Sequence, residues 1–433
     1  MQDNIIVFED ENYKDLYPFS LLHPTFDLKC GVFTTLERIF SYFPEGNFSL
    51  ICRDELTATV KEAYSHLPVN SLTFGLSATL INSNFIMNNY IKTLMSVETS
   101  QEFIVYSKKH LLAAKLVDKN LDFFIKQVMQ YQDIHKIFEY AMEKQIKLIE
   151  ADPSEILFIS YIWDLINHNP KVMEEDFKQI NKGGILKAQI DPFTSIIHEE
   201  EVFIDTDTII EPFCVLDATD GPILIEKNVH IKSHSRIVGP VHIGANSVIN
   251  SGSITSCSIG PFCKLGGEIS NSIFLGFSSK QHEGFLGHSY VGEWVNLGAL
   301  TTTSNLKNNY SLIKMEINKK TVDTNCLFLG SLIGDYSKFA IGSLLNSGSV
   351  FGVGCNLFAV NDLLPKAVKS FTWLGNKEES KYKFDKFIQT SQLIYLRRNL
   401  KLTESKIKLL EKIYNEDKPK QKSSTTFEQI LRR

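Results

Sequence analysis

The stretch "IGDYSKFAIGSLLNSGSVFGVGCNL", residues 333–357, decides the fold because large apolar residues recur in it at a stride of six. These residues are Ile333, Phe339, Leu345, Phe351 and Leu357. A hexapeptide period is the sequence signature of a parallel β-helix. Three short strands close one triangular coil, the large apolar residue fills its narrow interior, and only small residues fit beside the corners.

The same period begins near residue 202 and predicts a β-helix over residues 200–365. Its upstream interior positions are Ile204, Ile210, Leu216, Ile225, Ile231, Ile237, Ile243, Ile249, Ile259, Leu265, Val291 and Leu297. The repeat alone leaves open whether the β-helix carries a reaction or serves only as a scaffold for assembly.

Residues 1–190 predict an α/β domain, because short apolar runs alternate with helical patterns. Residues 5–8 and 103–106 are predicted to be buried strands, and residues 32–43 to be a helix. From residue 366 the hexad is lost. Helical spacing of the apolar residues then predicts a helical tail over residues 366–433, with a flexible end from Lys418.

Composition excludes several classes of protein. A hydrophobic content of 43% and a charged content of 22% are those of an ordinary globular chain. No apolar run reaches the roughly 18–20 residues needed to span a bilayer, and acidic residues stand where a signal peptide carries bases, so we expect a cytoplasmic protein without a membrane partner. The seven cysteines include no Cys-x-x-Cys pair, which argues against disulfides and zinc knuckles. The net-acidic main domains argue against nucleic acid as a partner.

The hexad period breaks at residues 276–284, GFSSKQHEG, and at residues 301–325, which include TTTSNLKNNY. The first segment is too polar for a coil interior, and the second lacks interior aliphatic residues. Loops that project from a rigid repeat are where function is usually added. We therefore expect both segments to project from the β-helix and to carry a site.

The segment KQHEGFLGHSYVGEWVNLGALTTTSNLKNNY, residues 280–310, resembles the acyltransferase part of the bifunctional enzymes that make UDP-N-acetylglucosamine. It is still more similar to a bacterial sister group described as sugar nucleotidyltransferases. The resemblance covers nearly all of residues 1–400 in domain order and is concentrated in residues 266–310. It implies a nucleotidyltransferase-like first domain, a left-handed β-helix and a homotrimer.

The resemblance implies that His282, nine residues before Val291 as in the family, is the base of acetyl transfer from acetyl-CoA. An imidazole is neutral near pH 7 and can accept the proton of an amine. The family implies that Asn305 assists the reaction. It also implies substrate contacts for Glu268, Lys280, Phe285, Asn296 and Lys307, with Lys280 holding a sugar phosphate by its charge.

Two departures from the family pattern concern these contacts. Phe285 replaces a tyrosine and removes one hydroxyl, and Leu300 replaces a glycine and narrows the acyl-donor groove. Without the resemblance, His282 reads as a polar residue that caps a turn. The remaining histidines of this region read as surface residues: His230, His234, His242 and His288.

The resemblance of the first domain is carried by residues 16–39, LYPFSLLHPTFDLKCGVFTTLERI. Pro24-Thr25 stands where the family has Pro-Lys, and the Gly-rich phosphate loop is missing because no glycine precedes Gly31. Lys29, Gly31 and Arg38 remain as candidates for nucleotide binding. Asp164 is the candidate carboxylate for Mg²⁺, which would be needed if nucleotidyl transfer is retained.

The sequence therefore predicts a transferase of a sugar-nucleotide pathway. The favoured activity is acyl-CoA-dependent N-acetyl transfer to an amino-sugar phosphate or nucleotide sugar, joined to a degenerate sugar-1-phosphate nucleotidyltransferase domain. One alternative is a nucleotidyltransferase, acting on an NTP, whose β-helix serves only for oligomerisation. The other is a non-catalytic module that binds a sugar nucleotide.

Overall fold

The α/β region at the start of the chain is built on a six-stranded mixed sheet with the strand order β4-β1-β5-β7-β6-β8. The computed structural model describes residues 4–71, 77–97, 101–130, 134–358, 362–375 and 378–416. In this region its elements are β1 (Asn4–Phe8), β2 (Lys29–Cys30), β3 (Phe33–Thr34), α1 (Thr35–Tyr42), β4 (Asn47–Ile51), α2 (Thr57–Ala63), β5 (Ser77–Asn82), α3 (Asn89–Val97), β6 (Phe103–Ser107), β7 (His110–Val117), α4 (Asp118–Met129), α5 (Ile134–Glu143), β8 (Lys147–Glu150) and α6 (Ile162–Ile180).

The predicted strands at residues 5–8 and 103–106 are confirmed as β1 and β6. Helix α1 begins at Thr35, three residues later than the apolar pattern predicts. A capping box sets this start: the Thr34 hydroxyl accepts the N–H of Glu37, and the Glu37 carboxylate accepts the N–H of Thr34. The cap leaves Val32 outside the helix, where it is buried beside α6.

A parallel β-helix follows, so the predicted fold class of an α/β domain followed by a left-handed β-helix is confirmed. In chain order the strands of this part of the chain are β9 (Ile185–Leu186), β10 (Gln189–Ile190), β11 (Ser195–Ile197), β12 (Val202–Ile204), β13 (Ile209–Ile210), β14 (Val215–Asp217), β15 (Ile223–Ile225), β16 (His230–Ile231), β17 (Ser235–Val238), β18 (Val241–Ile243), β19 (Val248–Thr255), β20 (Ser258–Ile259), β21 (Lys264–Ser270), β22 (Ile273–Gly276), β23 (Ser279–Lys280), β24 (Phe285–Gly287), β25 (Tyr290–Glu293), β26 (Asn296–Leu297), β27 (Thr302–Thr303), β28 (Lys314–Ile317), β29 (Lys320–Asp323), β30 (Ser331–Ile333), β31 (Lys338–Phe339), β32 (Leu344–Leu345), β33 (Ser349–Phe351), β34 (Asn356–Phe358), β35 (Ala367–Val368), β36 (Thr372–Gly375) and β37 (Glu378–Lys381). One sheet of the β-helix has ten strands, from β9 to β35, stacked along its axis.

Every interior position that the hexad predicts is buried in one apolar cluster that runs through the coils. The register explains this, because residues of successive coils lie directly above one another: Phe274 pairs with Val291, Val291 with Ile333, and Ile333 with Phe351. Each aliphatic residue therefore packs on the next along the axis, and the apolar stack excludes water from the interior.

The ten-stranded sheet that contains β22, β25, β30 and β33 is buried on its outer face as well. A second ladder runs along that face through Ile273, Tyr290, Leu332 and Val350. All four side chains belong to a buried cluster that includes Phe19, Leu28, Ile162 and Trp163 of the α/β region. The two folds therefore share one hydrophobic core, and residues 1–382 form a single compact unit.

Polar contacts fasten this joint between the α/β region and the β-helix. The main-chain N–H of Lys29 donates to the Tyr290 hydroxyl at 2.9 Å, and the same hydroxyl donates to the Lys29 carbonyl at 3.1 Å. The Ser258 hydroxyl donates to the Gly31 carbonyl at 2.6 Å. Because these polar groups are buried, loss of a partner would leave each of them without a hydrogen bond and without water, which is costly.

The two segments where the hexad breaks behave differently. Residues 276–284 do not project from the β-helix as expected: Lys280 pairs in register with Leu265 and takes the interior position of its coil, with 1% of its surface exposed. Residues 301–325 do include an insertion, the antiparallel hairpin β28–β29. Its buried Met315 and Ile317 pack in the cluster shared with the α/β region.

Parallel strands of the β-helix continue through β36 to Gly375, beyond the boundary at residue 365 that the loss of the hexad predicts, and β37 pairs with β36 in the antiparallel direction. A second compact unit begins at Lys383 and contains α7 (Phe384–Leu396) and α8 (Glu404–Glu416), which pack on each other through Phe384 and Tyr414. The predicted flexible end from Lys418 lies outside the described residues. Among the described helices, none is both long and apolar enough to cross a membrane.

We expect replacement of Tyr290 to weaken the joint. Tyr290 is fully buried and contacts Phe19 edge to face, with ring centroids 4.6 Å apart. Tyr290→Ala should lower the free energy of unfolding by about 3–5 kcal/mol, because it leaves a cavity. Tyr290→Phe should cost less, about 1–3 kcal/mol, because the ring still fills its space while the buried N–H and carbonyl of Lys29 lose the hydroxyl. Urea unfolding measures both, and Tyr310→Ala, at an exposed tyrosine, is the control. Equal effects of Tyr290→Ala and Tyr310→Ala would contradict the shared core.

Candidate functional site

His282 lies exposed on a turn of the β-helix. Its main-chain carbonyl accepts a hydrogen bond from the ammonium of Lys280 at 3.0 Å, and the same ammonium donates to the carbonyl of Gly266 at 3.0 Å. The buried lysine therefore fastens the turn that bears His282 to the adjacent coil. The turn is held in place while the imidazole stays accessible to solvent.

Lys280 occupies a site that disfavours its charge. Burial lowers the pKa of Lys280 to about 8, although the nearby Glu283 carboxylate acts in the opposite direction. Its ammonium donates to two carbonyls inside the coil, so in this structure Lys280 positions the turn. The predicted contact of Lys280 with a sugar phosphate would require the ammonium to leave this position.

Phe285 and Asn305 are brought together around Gly287, and His288 joins them. A Cβ on Gly287 would lie 2.4 Å from the Phe285 ring and 2.6 Å from the Asn305 side-chain nitrogen. The Asn305 Nδ2 donates to the Nδ1 of His288 at 3.0 Å in the assigned orientation, and the His288 ring stacks on Phe328. Burial lowers the pKa of His288, which favours the neutral imidazole.

The pairing of Asn305 with His288 corrects the expectation that His288 is a surface residue, since it is half-buried and hydrogen-bonded. The two residues are 17 positions apart, close to the 18 residues of one three-hexad coil. This spacing is the signal in the sequence that could have identified the pair. It places a second imidazole on the same coil as His282.

The other predicted substrate contacts lie on the outside of the β-helix. Glu268 and Asn296 are exposed, and Glu268 pairs in register with Phe285 across neighbouring strands. Lys307 is half-buried, and its ammonium donates to the Leu312 carbonyl at 2.7 Å. Within the described residues no hydrogen bond connects these three side chains to His282, so their roles stay predictions.

Two of the predicted nucleotide-binding residues make structural contacts in the α/β region. Arg38 is buried in a two-point ion pair with Asp176 of α6. Gly31 has φ +73°, and a Cβ there would lie 2.4 Å from the Asp176 carboxylate, so only glycine fits. The N–H of Gly31 donates to Asn169 at 2.8 Å. These contacts hold the segment against α6, and a bound nucleotide would have to compete with them.

Asp164, the predicted metal ligand, caps the start of α6. One carboxylate oxygen, Oδ2, accepts the N–H groups of Ser160 and Tyr161, both at 2.9 Å. Burial raises the pKa of Asp164, although these two hydrogen bonds act against that shift. A carboxylate used in this way does not fit a Mg²⁺ ligand well, because Mg²⁺ demands near-ideal geometry around charged oxygens. We therefore derive no metal-dependent step from Asp164.

Lys29 lines a cleft of about 370 Å³ between the α/β region and the β-helix. Burial lowers the pKa of Lys29, while nearby carboxylates act in the opposite direction. The ammonium donates to the Val32 carbonyl. The cleft is rich in ionisable groups from both folds: His23, Asp27, Glu37, Tyr64, Glu226, His242 and Glu293.

His242, expected to lie on the surface, is instead 1% exposed, because it stands on the outer face of the sheet that the α/β region covers. Its Nε2 lies 2.9 Å from the Glu226 carboxylate. Burial acts to raise the pKa of Glu226, but His242 and Lys29 lower it to about 2. The pair is therefore a charged carboxylate beside an imidazole whose own pKa is lowered by burial and by Lys29. The hexad pattern gave no sign of this cleft, because its residues come from both folds.

Comparisons with known proteins agree with the resemblance drawn from the motif. Residues 5–185 match the model of a family described as sugar nucleotidyl transferase. The bifunctional protein GlmU of Wigglesworthia glossinidia brevipalpis is 24% identical over 316 residues, which cover 72% of this chain and 60% of that protein. The GlmU of Carboxydothermus hydrogenoformans is 31% identical over 190 residues, or 39% of each chain.

The chain is therefore similar to the GlmU bifunctional proteins, and its first region is similar to sugar nucleotidyl transferases. It spans 60% or less of the length of the GlmU relatives named above. A crystal structure described as a glucose-1-phosphate thymidylyltransferase from Bacillus anthracis matches 40% of the chain with a TM-score of 0.29 and 10% identity, too weak a likeness to support a structural argument.

Lys280 should make the free energy of unfolding depend on pH in the alkaline range. Its folded pKa of about 8 lies below the unfolded value of 10.5, so the unfolded chain binds more protons between these values and stability rises with pH there. As the pH rises through that range, the stability of wild type relative to Lys280→Met should increase by up to about 3 kcal/mol. Urea unfolding at a series of pH values measures it.

The matched control is Lys227→Met, at an exposed lysine of the same β-helix, because an ammonium in water carries no burial cost. Its difference from wild type should stay constant over the same pH values. A constant difference for Lys280→Met as well would show that Lys280 is solvated rather than held inside the coil.

Proposed function

We propose that the chain is a transferase of a sugar-nucleotide pathway whose β-helix transfers an acetyl group from acetyl-CoA to the amine of an amino-sugar phosphate or nucleotide sugar. The observation that carries this proposal is the exposed imidazole of His282 on a turn whose carbonyl is tied down by the buried Lys280. Because the turn is fixed, the base is already positioned for a bound amine, and no conformational entropy has to be lost to place it in each catalytic cycle.

In the proposed reaction the amine nitrogen attacks the thioester carbonyl carbon. An N–C bond forms, the C–S bond breaks, and the proton leaves the nitrogen for the His282 imidazole, which then delivers it to the departing thiolate. An imidazole is suited to both transfers near pH 7, because its neutral form accepts a proton and its protonated form returns it. Asn305 assists the reaction in this proposal, and Glu268, Phe285, Asn296 and Lys307 contact the sugar substrate.

His288 is the second candidate for the base. It is half-buried, and its Nδ1 is held by Asn305, which leaves Nε2 for another partner. If the Asn305 amide keeps its assigned orientation, Nε2 carries the proton of the neutral ring and serves as a donor rather than as a base. This arrangement favours His282 as the base, with His288 as a hydrogen-bond donor to the substrate.

Nucleotidyl transfer by the first region is the weaker alternative. Arg38 is committed to Asp176, Asp164 caps a helix, and Lys29 shares its cleft with four carboxylates, which repel a triphosphate. Mg²⁺ would enter the account only with that activity. From the resemblance to GlmU proteins we further propose a homotrimer with acyl-donor grooves between neighbouring β-helices. The same resemblance suggests a cytoplasmic location.

Thiol release from acetyl-CoA with a panel of amino-sugar phosphates tests the proposal. His282→Ala should lower the turnover rate by about 10²–10⁴-fold, because it removes the general base. His288→Ala should cost less and act mainly on KM. His230→Ala, at a half-buried histidine of the same β-helix that pairs with Glu211, is the control and should leave the rate unchanged.

Thermal unfolding of each variant separates lost chemistry from lost fold. If thiol release is unchanged in His282→Ala but lost in His288→Ala, the general base is His288 rather than His282. No thiol release by the wild type with any acceptor would refute acyl transfer and favour the non-catalytic module.

A further inference from the structure

Three potential metal ligands from two folds meet at one end of the cleft. His23 belongs to the α/β region, Glu293 ends strand β25, and Asp335 follows strand β30 in the neighbouring coil. One ligand atom from each lies within 4.8 Å of the others. They are separated by up to 312 positions in the chain, so only the docking of the α/β region on the β-helix brings them together.

Two of the three side chains, those of His23 and Asp335, are buried. His23 is 7% exposed and Asp335 is 1% exposed. One oxygen of Asp335, Oδ1, accepts the N–H of Glu293 at 3.1 Å, and the other, Oδ2, lies 2.6 Å from the Nε2 of His23. Gly292 permits this approach, since a Cβ there would lie 2.2 Å from Oδ1. The Oδ2 of Asp335 is thus directed at the imidazole of His23.

The donor set suits a divalent cation. Two carboxylates and one imidazole supply two negative charges and a nitrogen ligand, a combination that Zn²⁺ and Mn²⁺ accept. Burying the Asp335 carboxylate is costly unless a positive charge lies beside it, and a divalent ion at this place would supply that charge. His23 and Glu293 also line the cleft, so a bound ion would keep a side open to a water or a ligand oxygen.

We propose that His23, Glu293 and Asp335 bind one divalent metal ion at the junction of the α/β region and the β-helix. The ion would fasten the two folds together and present an open coordination position to the cleft. Neither the acyl-transfer proposal nor the nucleotidyltransferase alternative uses these residues.

Binding requires a small rearrangement of the ligands. A tetrahedral site with bonds of about 2.0–2.1 Å places its ligand atoms roughly 3.3 Å apart. The Nε2 of His23 and the Oδ2 of Asp335 are 2.6 Å apart, so they must separate slightly as the ion replaces the direct contact.

Calorimetric titration of the full-length chain tests the site. The protein is stripped with EDTA, desalted and titrated with Zn²⁺ and, separately, with Mn²⁺. We expect one ion per chain, with affinity weakened by at least about 10–100-fold in His23→Gln, Glu293→Gln and Asp335→Asn. The Mn²⁺ titration is needed because seven free thiols can bind Zn²⁺, whereas Mn²⁺ prefers oxygen and nitrogen ligands.

Glu37→Gln is the matched control. It removes one negative charge from the same cleft but leaves the three ligands, and its amide oxygen can still accept the N–H of Thr34 that caps α1. Its affinity should equal that of the wild type. The wild-type titration alone refutes the proposal if neither ion saturates one site per chain. Binding that the three ligand variants retain would also refute it and leave a direct ion pair of His23 with Asp335.

Discussion

The outer face of the ten-stranded sheet is the constraint on which the rest of the structure depends. In most of the β-helix only the interior ladder is apolar, but here the outer ladder of Ile273, Tyr290, Leu332 and Val350 is apolar too and must be covered. The α/β region covers it and adds Phe19 and Trp163 to the same core. The cleft and the cluster around His23 exist because this contact is made.

Much of the fold could be predicted because it rests on a period. Each aliphatic residue at a stride of six occupies an equivalent place, so one coil predicts the next, and the interior positions that the hexad predicts between Ile204 and Leu357 are all buried in the interior cluster. Lys280 broke the rule. A lysine at an interior position reads as a polar loop, and only the carbonyls of Gly266 and His282 at the coil corner explain how it is accommodated.

The joint and the sites beside it could not be predicted, because they depend on contacts between residues far apart in sequence. Tyr290 meets Lys29 across 261 positions, and His23 meets Asp335 across 312. A faint signal exists: along the ten-stranded sheet, the residue just before the interior aliphatic is often apolar, as in Phe203, Leu224 and Leu332. On the β-helix surface, by contrast, the contact of Asn305 with His288 spans only 17 positions, which is close to the length of one coil, so the repeat itself could indicate it.

Native-state hydrogen exchange across a urea series tests the shared core most directly. The amides of helix α6, in the α/β region, and of strand β25, in the β-helix, belong to different folds that pack on the same cluster. If the core is shared, their most protected amides should exchange through one opening, with the same free energy and the same dependence on urea. If α6 opens at low urea while β25 keeps its full protection, the two folds are separable and the account is contradicted.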